Sequence, residues 1–201
     1  MSRNFAEFIK EEVPNDCVLI SVGLPGSWKS PVTEEIAKLK GFRILRSDMI
    51  RLEVLKGEDV FDTTVASDPH RRKRIYEEMF RRAGQTLRTE KGGLILDATF
   101  FTQELRSRAA GLAHQSKRTF VIAECVCTEE RSLERILKRT KENYESNALT
   151  REAYFNNKAL FQPVDIGEIK REFASLFIIH VTIDTEFDAP SGWKIKEIEK
   201  R

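Results

Sequence analysis

The chain has 201 residues, of which 40% are hydrophobic and 33% charged, and its net charge is +2. This length is enough for one well-buried core, so we expect one domain over residues 1–201. The composition is that of a globular protein and excludes a transmembrane chain, because no segment approaches the roughly 20 apolar residues of a membrane helix.

Short apolar runs alternate with helical patterns, after a short helix predicted near Phe5 to Glu12. The predicted strands, in chain order, are "CVLISV", "FRILRS", "GLILDAT", "TFVIAECVC" and "LFIIHVTI". The predicted helices span roughly Val32 to Lys40, Asp48 to Lys56, Pro69 to Glu90, Thr102 to Gln115, Thr128 to Lys141, Thr150 to Leu160 and Asp165 to Ala174. Strands that alternate with helices favour an α/β fold, in which a mostly parallel sheet is covered on both faces.

Two further segments complete the pattern. The stretch "RTKENYESNALTREAYFNNKALFQPVD" is very polar and follows an arginine-rich helix, so we predict a helical lid around residues 128–162 of the same domain. The tail "SGWKIKEIEKR" is compatible with a helix or with an extended edge strand.

The cysteines, the histidines and the N-terminal segment exclude several functional classes. The three cysteines lie in apolar strand-like runs without CxxC spacing, which indicates buried thiols rather than a disulfide. The three histidines are far apart, and we predict no structural metal. The N-terminal segment has acidic residues and no apolar core of signal-peptide type, so we expect a cytoplasmic protein.

The segment "GLPGSWKS" follows the first long apolar run and precedes a helical pattern. Backbone amides in this position cradle phosphate, because the amides and the helix dipole both point at the anion. Lys29 would contact the β and γ phosphates, and the Ser30 hydroxyl would bind Mg²⁺. The predicted nucleotide-binding residues are Gly23, Leu24, Pro25, Gly26, Ser27, Trp28, Lys29 and Ser30.

Two residues depart from the usual phosphate-loop pattern. Trp28 stands where a glycine normally lets the backbone approach the nucleotide, and Pro31 lacks a backbone amide. The indole must either point away from the phosphates, or cover the nucleotide, or crowd the phosphates. A structural role, with Trp28 packed against a neighbouring helix, is an equal alternative.

Two carboxylates follow predicted strands. In "RSDMIR", Asp48 could accept the proton of an attacking hydroxyl while Arg51, one turn further on, holds the substrate. In "GLILDATF", Asp97 could bind Mg²⁺ directly or through water and so complement Ser30. The alternative for both carboxylates is a helix cap or a turn.

Basic residues cluster on two predicted helices. In "TEERSLERILKRT", Arg135 and Arg139 could offset the charge of a moving phosphoryl group, although such runs are commonly solvated helix faces. In "HRRKR", residues 70–74, the alternatives are a solvated face paired with Glu77 and Glu78 or a wall that holds an anionic substrate.

Together these motifs resemble the P-loop kinase-like AAA family ATPases of the zeta-toxin and polynucleotide-kinase-like group. The resemblance runs from about Cys17 to Asp184 and also includes "RIYEEMFRRAGQTL" and "QELRSRAAGLA". It implies a P-loop NTPase fold of kinase type with a parallel five-stranded sheet, ATP and Mg²⁺ as cofactors, and transfer of the γ phosphate to a hydroxyl. The catalytic residues that it implies are Lys29, Asp48, Arg51, Arg135 and Arg139, and the metal-binding residues are Ser30 and Asp97.

The sequence therefore predicts an ATP-dependent phosphotransferase that acts on a small molecule or a nucleic-acid end. The alternative is a nucleotide-binding module with little or no turnover, because of Trp28 and Pro31. Nucleic-acid binding through the basic helix ranks last, since aromatic interleaving and strong net charge are missing. The sequence does not define the acceptor, the choice of ATP or GTP, or the oligomeric state.

Overall fold

A computed structural model describes residues 3–140 and 148–201, and within these ranges the chain forms a seven-stranded sheet. The strands are β1 (Arg3–Asn4), β2 (Cys17–Val22), β3 (Arg43–Arg46), β4 (Leu94–Asp97), β5 (Thr119–Val126), β6 (Ile178–Asp184) and β7 (Lys194–Lys200). Their spatial order is β1-β7-β6-β5-β2-β4-β3. The strands from β6 to β3 are parallel, whereas β7 and β1 pair antiparallel at one edge.

Helices connect the parallel strands. They are α1 (Phe5–Glu12), α2 (Lys29–Lys40), α3 (Ser47–Val54), α4 (Thr63–Ser67), α5 (Pro69–Thr89), α6 (Gln103–Gln115), α7 (Glu129–Leu137), α8 (Arg151–Leu160) and α9 (Ile166–Glu172), with a 3₁₀ turn at Pro190–Gly192. Most of them begin after an Asn, Asp or Thr whose side chain accepts a hydrogen bond from a backbone amide of the first turn. Of the α-helices in the described ranges, only α2 and α3 lack such a cap, and both begin at the carboxyl end of a parallel strand.

Two apolar layers cover the sheet, because alternate residues of a strand point to opposite faces. In β2, Val18 and Ile20 belong to the layer that also contains residues of α5 and α6. Cys17 and Leu19 belong to the opposite layer, with residues of α1 and α2. The central strands are therefore buried on both faces, as in other parallel sheets.

The α/β fold prediction is confirmed, and all five predicted strands are present in the parallel part of the sheet. The strand number differs from the predicted five because the tail forms β7 and residues 3–4 pair with it. The helix predicted from Thr128 to Lys141 ends at Leu137, and Lys141 lies outside the described residues. None of the helices in the described ranges has both the length and the apolar character needed to cross a bilayer.

Candidate active site

The phosphate loop joins β2 to α2 and has close contacts with α7. Gly23 and Gly26 have φ angles of 146° and 81°, which favour glycine. A Cβ on Gly26 would lie 2.4 Å from the backbone oxygen of Ser132, and one on Gly23 would lie 2.5 Å from that of Cys125. Both glycines are therefore required by backbone conformation and by lack of space.

The loop presents amides that are free to bind an anion. Ser27 N donates to Leu24 O at 3.2 Å, and Val32 N donates to Trp28 O at 3.1 Å. By contrast, the amides of Trp28, Lys29 and Ser30 have no acceptor among the described residues. Because these amides lie at the N-terminus of α2, where the helix dipole is positive, they can bind phosphate.

Lys29 lies across this loop. Its Nζ donates to Leu24 O at 2.8 Å, and its side chain lines the cavity described below. Burial lowers the pKa of Lys29, and the nearby carboxylate of Asp97 opposes this effect. A phosphate that replaced the Leu24 carbonyl as the acceptor would give the ammonium group a charged partner, which is a stronger hydrogen bond.

Trp28 is accommodated by contacts with neighbouring segments. Its φ of 64° is left-handed, the conformation for which glycine is normally selected. The indole Nε1 donates to Asp188 O at 3.0 Å, and the Arg135 guanidinium lies 4.4 Å from the ring centroid. The ring also packs against the apolar layer of α1 and α2. Contacts with the protein thus hold the indole in place, which supports the structural role that the sequence analysis gave as one alternative for Trp28.

Arg135 supports the loop from outside the cavity. It is 4% exposed and donates to Thr185 O at 2.6 Å, Asp188 Oδ1 at 2.9 Å and Gly26 O at 3.2 Å. The guanidinium contacts the loop and the segment after β6, and the role predicted for Arg135 at the transferred phosphate stays a prediction. The side chain points at the loop because α7 packs on the loop at Ser132, about one turn before Arg135.

A cavity of ≈ 790 Å³ lies beside the phosphate loop, at the carboxyl ends of β3 and β4. Its walls also include residues of α3, α5 and α8. The predicted site residues that line it are Pro25, Gly26, Trp28, Lys29, Ser30, Asp48, Arg51, Asp97 and Arg139. Gly23, Leu24, Ser27 and Arg135 are not among the described lining residues.

Asp97 is 4% exposed and lies at the end of β4. Its carboxylate accepts hydrogen bonds from Ser21 Oγ at 2.9 Å and Thr33 Oγ1 at 3.2 Å, and Arg46 Nε lies 3.5 Å away. Thr33 Oγ1 also donates to Ser30 O, which ties the first turn of α2 to this carboxylate. Asp97 is therefore neither a helix cap nor a turn residue.

Ser30 and Asp97 fit the requirements of Mg²⁺. Magnesium prefers oxygen ligands and commonly takes only one or two from the protein, with phosphates and water supplying the rest. The Ser30 hydroxyl makes no hydrogen bond with any described residue, and both side chains line the cavity. No cluster of three or more His, Cys, Asp or Glu suited to a metal occurs in residues 3–140 or 148–201. The donor set therefore suits a metal that arrives with a nucleotide.

Asp48 and Arg51 lie on the first turns of α3 and face the same cavity. Arg51 Nε is 3.8 Å from Asp48 Oδ1, and α3 has no side-chain cap, so Asp48 is not used as one. Burial raises the pKa of Asp48, while the Arg51 cation opposes this rise. A carboxylate with a raised pKa is a stronger base, which suits proton abstraction from a hydroxyl.

Arg139 and the lid residues from Ala148 onward line the cavity on the side of α8. Arg139 Nη1 donates to Ala148 O at 3.2 Å, and Arg139 lines the cavity together with Ala148, Leu149 and residues of α8. The central part of the predicted lid, residues 141–147, lies outside the described residues.

Helix α5 carries a residue that the sequence analysis did not single out. Most of its basic residues form ion pairs on the outer face, as the solvated-face interpretation expects, and the pairs are Arg71 with Glu58 and Asp68, Lys73 with Glu77, Arg81 with Glu78, and Arg82 with Glu53 and Glu78. Arg72, in contrast, lines the cavity with Ile75 and Tyr76. The alternative interpretation of "HRRKR", a wall that holds an anionic substrate, covered Arg72 without distinguishing it from its neighbours.

Residues 18–164 match the family model of an AAA domain. The chain belongs to this family. No curated protein matches the sequence. The family and the fold together make the chain a P-loop kinase-like member of the AAA proteins.

Three solved structures are similar to this P-loop kinase-like chain. A presumed kinase from Chloroflexus aurantiacus has a TM-score of 0.63 and 17% identity, over 87% of this chain and 90% of its own. Kti12 from Chaetomium thermophilum, in complex with ADP-AlF3, has a TM-score of 0.56 and 17% identity, over 80% and 87%. Shikimate kinase from Acinetobacter baumannii, in complex with shikimate, has a TM-score of 0.54 and 14% identity, over 92% and 90%. At these identities the similarity shows a shared fold.

Proposed function

We propose that this chain is an ATP-dependent phosphotransferase that transfers the γ-phosphoryl group to a hydroxyl of a small molecule. The observation that carries the proposal is that one cavity holds both a phosphate loop with open amides and a partly buried carboxylate, Asp48. The similarity to kinase structures and to a structure with bound ADP-AlF3 supports this function. Transfer to a nucleic-acid end is less well supported, because the basic residues of α5 are mostly ion-paired.

The residues of the loop would hold the nucleotide. The amides of Trp28, Lys29 and Ser30 would bind its phosphates, with the Lys29 ammonium as the charged donor. Ser30 and Asp97 would hold Mg²⁺ on the same side of the cavity. When bound, ATP and Mg²⁺ supply the transferable phosphoryl group and the positive charge that stabilises the leaving diphosphate.

Asp48 would act as the general base. Its carboxylate accepts the proton of the acceptor hydroxyl, so that the oxygen can form the new bond to phosphorus while the bond to the departing diphosphate breaks. Arg51, 3.8 Å from Asp48, orients this carboxylate and contributes positive charge beside the acceptor. Arg139 and the residues of α8 would exclude water, which otherwise competes with the acceptor.

The alternative function is a nucleotide-binding module with little or no turnover. Two observations favour it: Trp28 and Pro31 alter the loop, and Lys29 already has an acceptor in Leu24 O. Retention of Asp48, Asp97 and Arg139 around the same cavity favours turnover. The two functions share a nucleotide site and differ in whether Asp48 is needed for a product.

The decisive experiment measures AMP-PNP binding and acceptor-dependent ADP formation in the same set of variants. Lys29→Ala should abolish both, whereas Asp48→Asn should abolish ADP formation and keep AMP-PNP binding. Lys38→Ala is the matched control, because Lys38 lies on the same helix and pairs with Glu35 on the surface. AMP-PNP binding without ADP formation from any acceptor would favour the binding module. Absence of AMP-PNP binding would refute both functions.

A further inference from the structure

Two arginines that line the cavity, one buried and one partly buried, have no carboxylate at hydrogen-bond distance among the described residues. Arg51 is 9% exposed, and its Nε and Nη1 have no hydrogen-bond partner among the described residues. Its nearest carboxylate oxygen, on Asp48, is 3.8 Å from Nε, which is beyond hydrogen-bond distance. An unsatisfied buried guanidinium is costly, so it indicates that a ligand completes the site.

Arg72 is the second of these arginines. It lies over the ring of Phe101, with its guanidinium carbon 4.9 Å from the ring centroid, and it lines the same cavity. No carboxylate within the described ranges lies at ion-pair distance from Arg72, in contrast to its neighbours Arg71 and Lys73. Burial lowers the pKa of Arg72, and the Arg51 cation lowers it further.

The carboxylates near this end of the cavity do not supply a hydrogen-bonded partner for either arginine. Among the described residues, four carboxylates line the cavity: Glu34, Asp48, Asp97 and Glu152. Glu34 pairs with Arg46, Glu152 lies on α8, and only Asp48 is within ion-pair distance of Arg51. Asp97 does not compensate the two arginines, since it accepts from Ser21 and Thr33 and pairs with Arg46. A bound group with negative charge would therefore fill the open donor positions of Arg51 and give Arg72 a charged partner.

We infer that the acceptor is an anionic hydroxy compound, whose carboxylate or phosphate monoester is bound by Arg51 and Arg72 while its hydroxyl lies at Asp48. This inference rests on the proposed phosphotransfer, because it identifies the acceptor of that reaction. The anionic group would fix the distance between the arginines and the reacting hydroxyl, so a neutral polyol would lack the main determinant of orientation. The aromatic side chains of Phe101 and Tyr76 also line this cavity.

The test is calorimetric titration of the protein after saturation with AMP-PNP and Mg²⁺, which prevents binding of the probe to the phosphate loop. The probes are glycerol, glycerate and glycerol 3-phosphate, which share a hydroxylated carbon chain and differ in charge. We expect saturable binding of at least one anion and none of glycerol. Whether glycerate or glycerol 3-phosphate binds identifies the group as carboxylate or phosphate.

Arg72→Met should weaken anion binding about 10- to 100-fold, the range expected for a lost hydrogen bond to a charged group. Lys73→Met is the control on the same helix, and its affinity should equal that of the wild type. Because Arg51 is buried, Arg51→Lys is tested beside Arg51→Met, with thermal melts to confirm folding. The lysine keeps the charge and should retain more affinity than methionine does.

Three results would overturn the inference: no binding of either anion, equal binding of glycerol, or unchanged anion affinity in Arg72→Met. Failure of the proposed function is separable, since AMP-PNP binding is measured first for every variant. If AMP-PNP does not bind and glycerate or glycerol 3-phosphate still binds in an Arg72-dependent manner, the phosphotransfer proposal fails and the anion site stands.

Discussion

Replacement of Gly26 by alanine is the most direct test of how the phosphate loop is built. A Cβ at this position would lie 2.4 Å from Ser132 O and 2.9 Å from both the carbonyl carbon and the Cα of Ser132. These are backbone atoms of α7 and cannot rotate away. Gly41 offers a matched control, because its φ of 69° is also left-handed and no atom lies within 4 Å of a Cβ there.

Both substitutions place a side chain on a left-handed residue, and only Gly26→Ala also creates a steric overlap. A left-handed conformation costs a non-glycine residue about 1–2 kcal/mol. Gly26→Ala adds the steric cost of overpacking, about 1–3 kcal/mol. We therefore expect the free energy of unfolding to fall by about 1–2 kcal/mol for Gly41→Ala and by about 2–5 kcal/mol for Gly26→Ala.

Urea denaturation measures both values, and AMP-PNP titration measures the effect on the loop. Gly26→Ala should also weaken AMP-PNP binding, because the loop must move away from α7 to make room, whereas Gly41→Ala should bind normally. If the two variants were equally stable, the contact between the loop and Ser132 would not be as tight as the structure shows. Normal AMP-PNP affinity in Gly26→Ala would mean that the loop conformation is not needed for binding.

Three further predictions concern Trp28, Asp48 and Arg106. Trp28→Gly relieves a left-handed strain of about 1–2 kcal/mol but loses the cation–π contact and the Nε1 hydrogen bond, so urea denaturation should show a net loss of about 1 kcal/mol. Because burial raises the pKa of Asp48, the base form is lost as the pH falls through this raised value, and kcat should fall with it. Arg51→Met removes a cation that lowers this pKa, so the acidic limb of the kcat profile should move to higher pH. Arg106→Met should lower the free energy of unfolding by at least about 3 kcal/mol, because the carbonyls of Phe100, Gln162 and Pro163 lose their donor. The control is Arg108→Met at an exposed position, which should lower it by less than about 1 kcal/mol.

Each of these predictions has a contrary outcome. A Trp28→Gly variant more stable than the wild type would show that backbone strain outweighs the contacts of the indole. An acidic limb that stays in place in Arg51→Met would show that Asp48 does not control it. Equal stability of Arg106→Met and Arg108→Met would show that water satisfies the three carbonyls.

The parallel part of the fold was predictable because its strands are apolar on both faces and are separated by helical patterns. The edge strands were not, for reasons visible in their residues. Strand β7, "KIKEIEK", is amphipathic and is compatible with either a helix or a strand until β6 provides its partner. Strand β1 has two residues, too few for any periodicity.

The loop and the two strand-end carboxylates were predictable because their spacing relative to the strands defines their location. The roles of individual arginines were not. Arg135 and Arg139 are four residues apart in one predicted helix, yet Arg135 lies on α7 and contacts the loop, whereas Arg139 lies beyond the end of α7 and lines the cavity. Arg72 and Arg71 are adjacent, yet only Arg71 pairs with carboxylates. Charge and spacing are the same in such pairs, and the difference arises from the tertiary packing of each helix.

The antiparallel edge of the sheet has a consequence for the order of folding. Strand β1 pairs only with β7 among the described strands. Arg3 therefore cannot pair until Ile195, near the other end of the sequence, is in place. Such a contact has a very large sequence separation and a high entropic cost of closure. The parallel strands around the phosphate loop have nearer partners and can assemble earlier. Strand β1 should therefore join last during refolding, after the nucleotide cradle has formed.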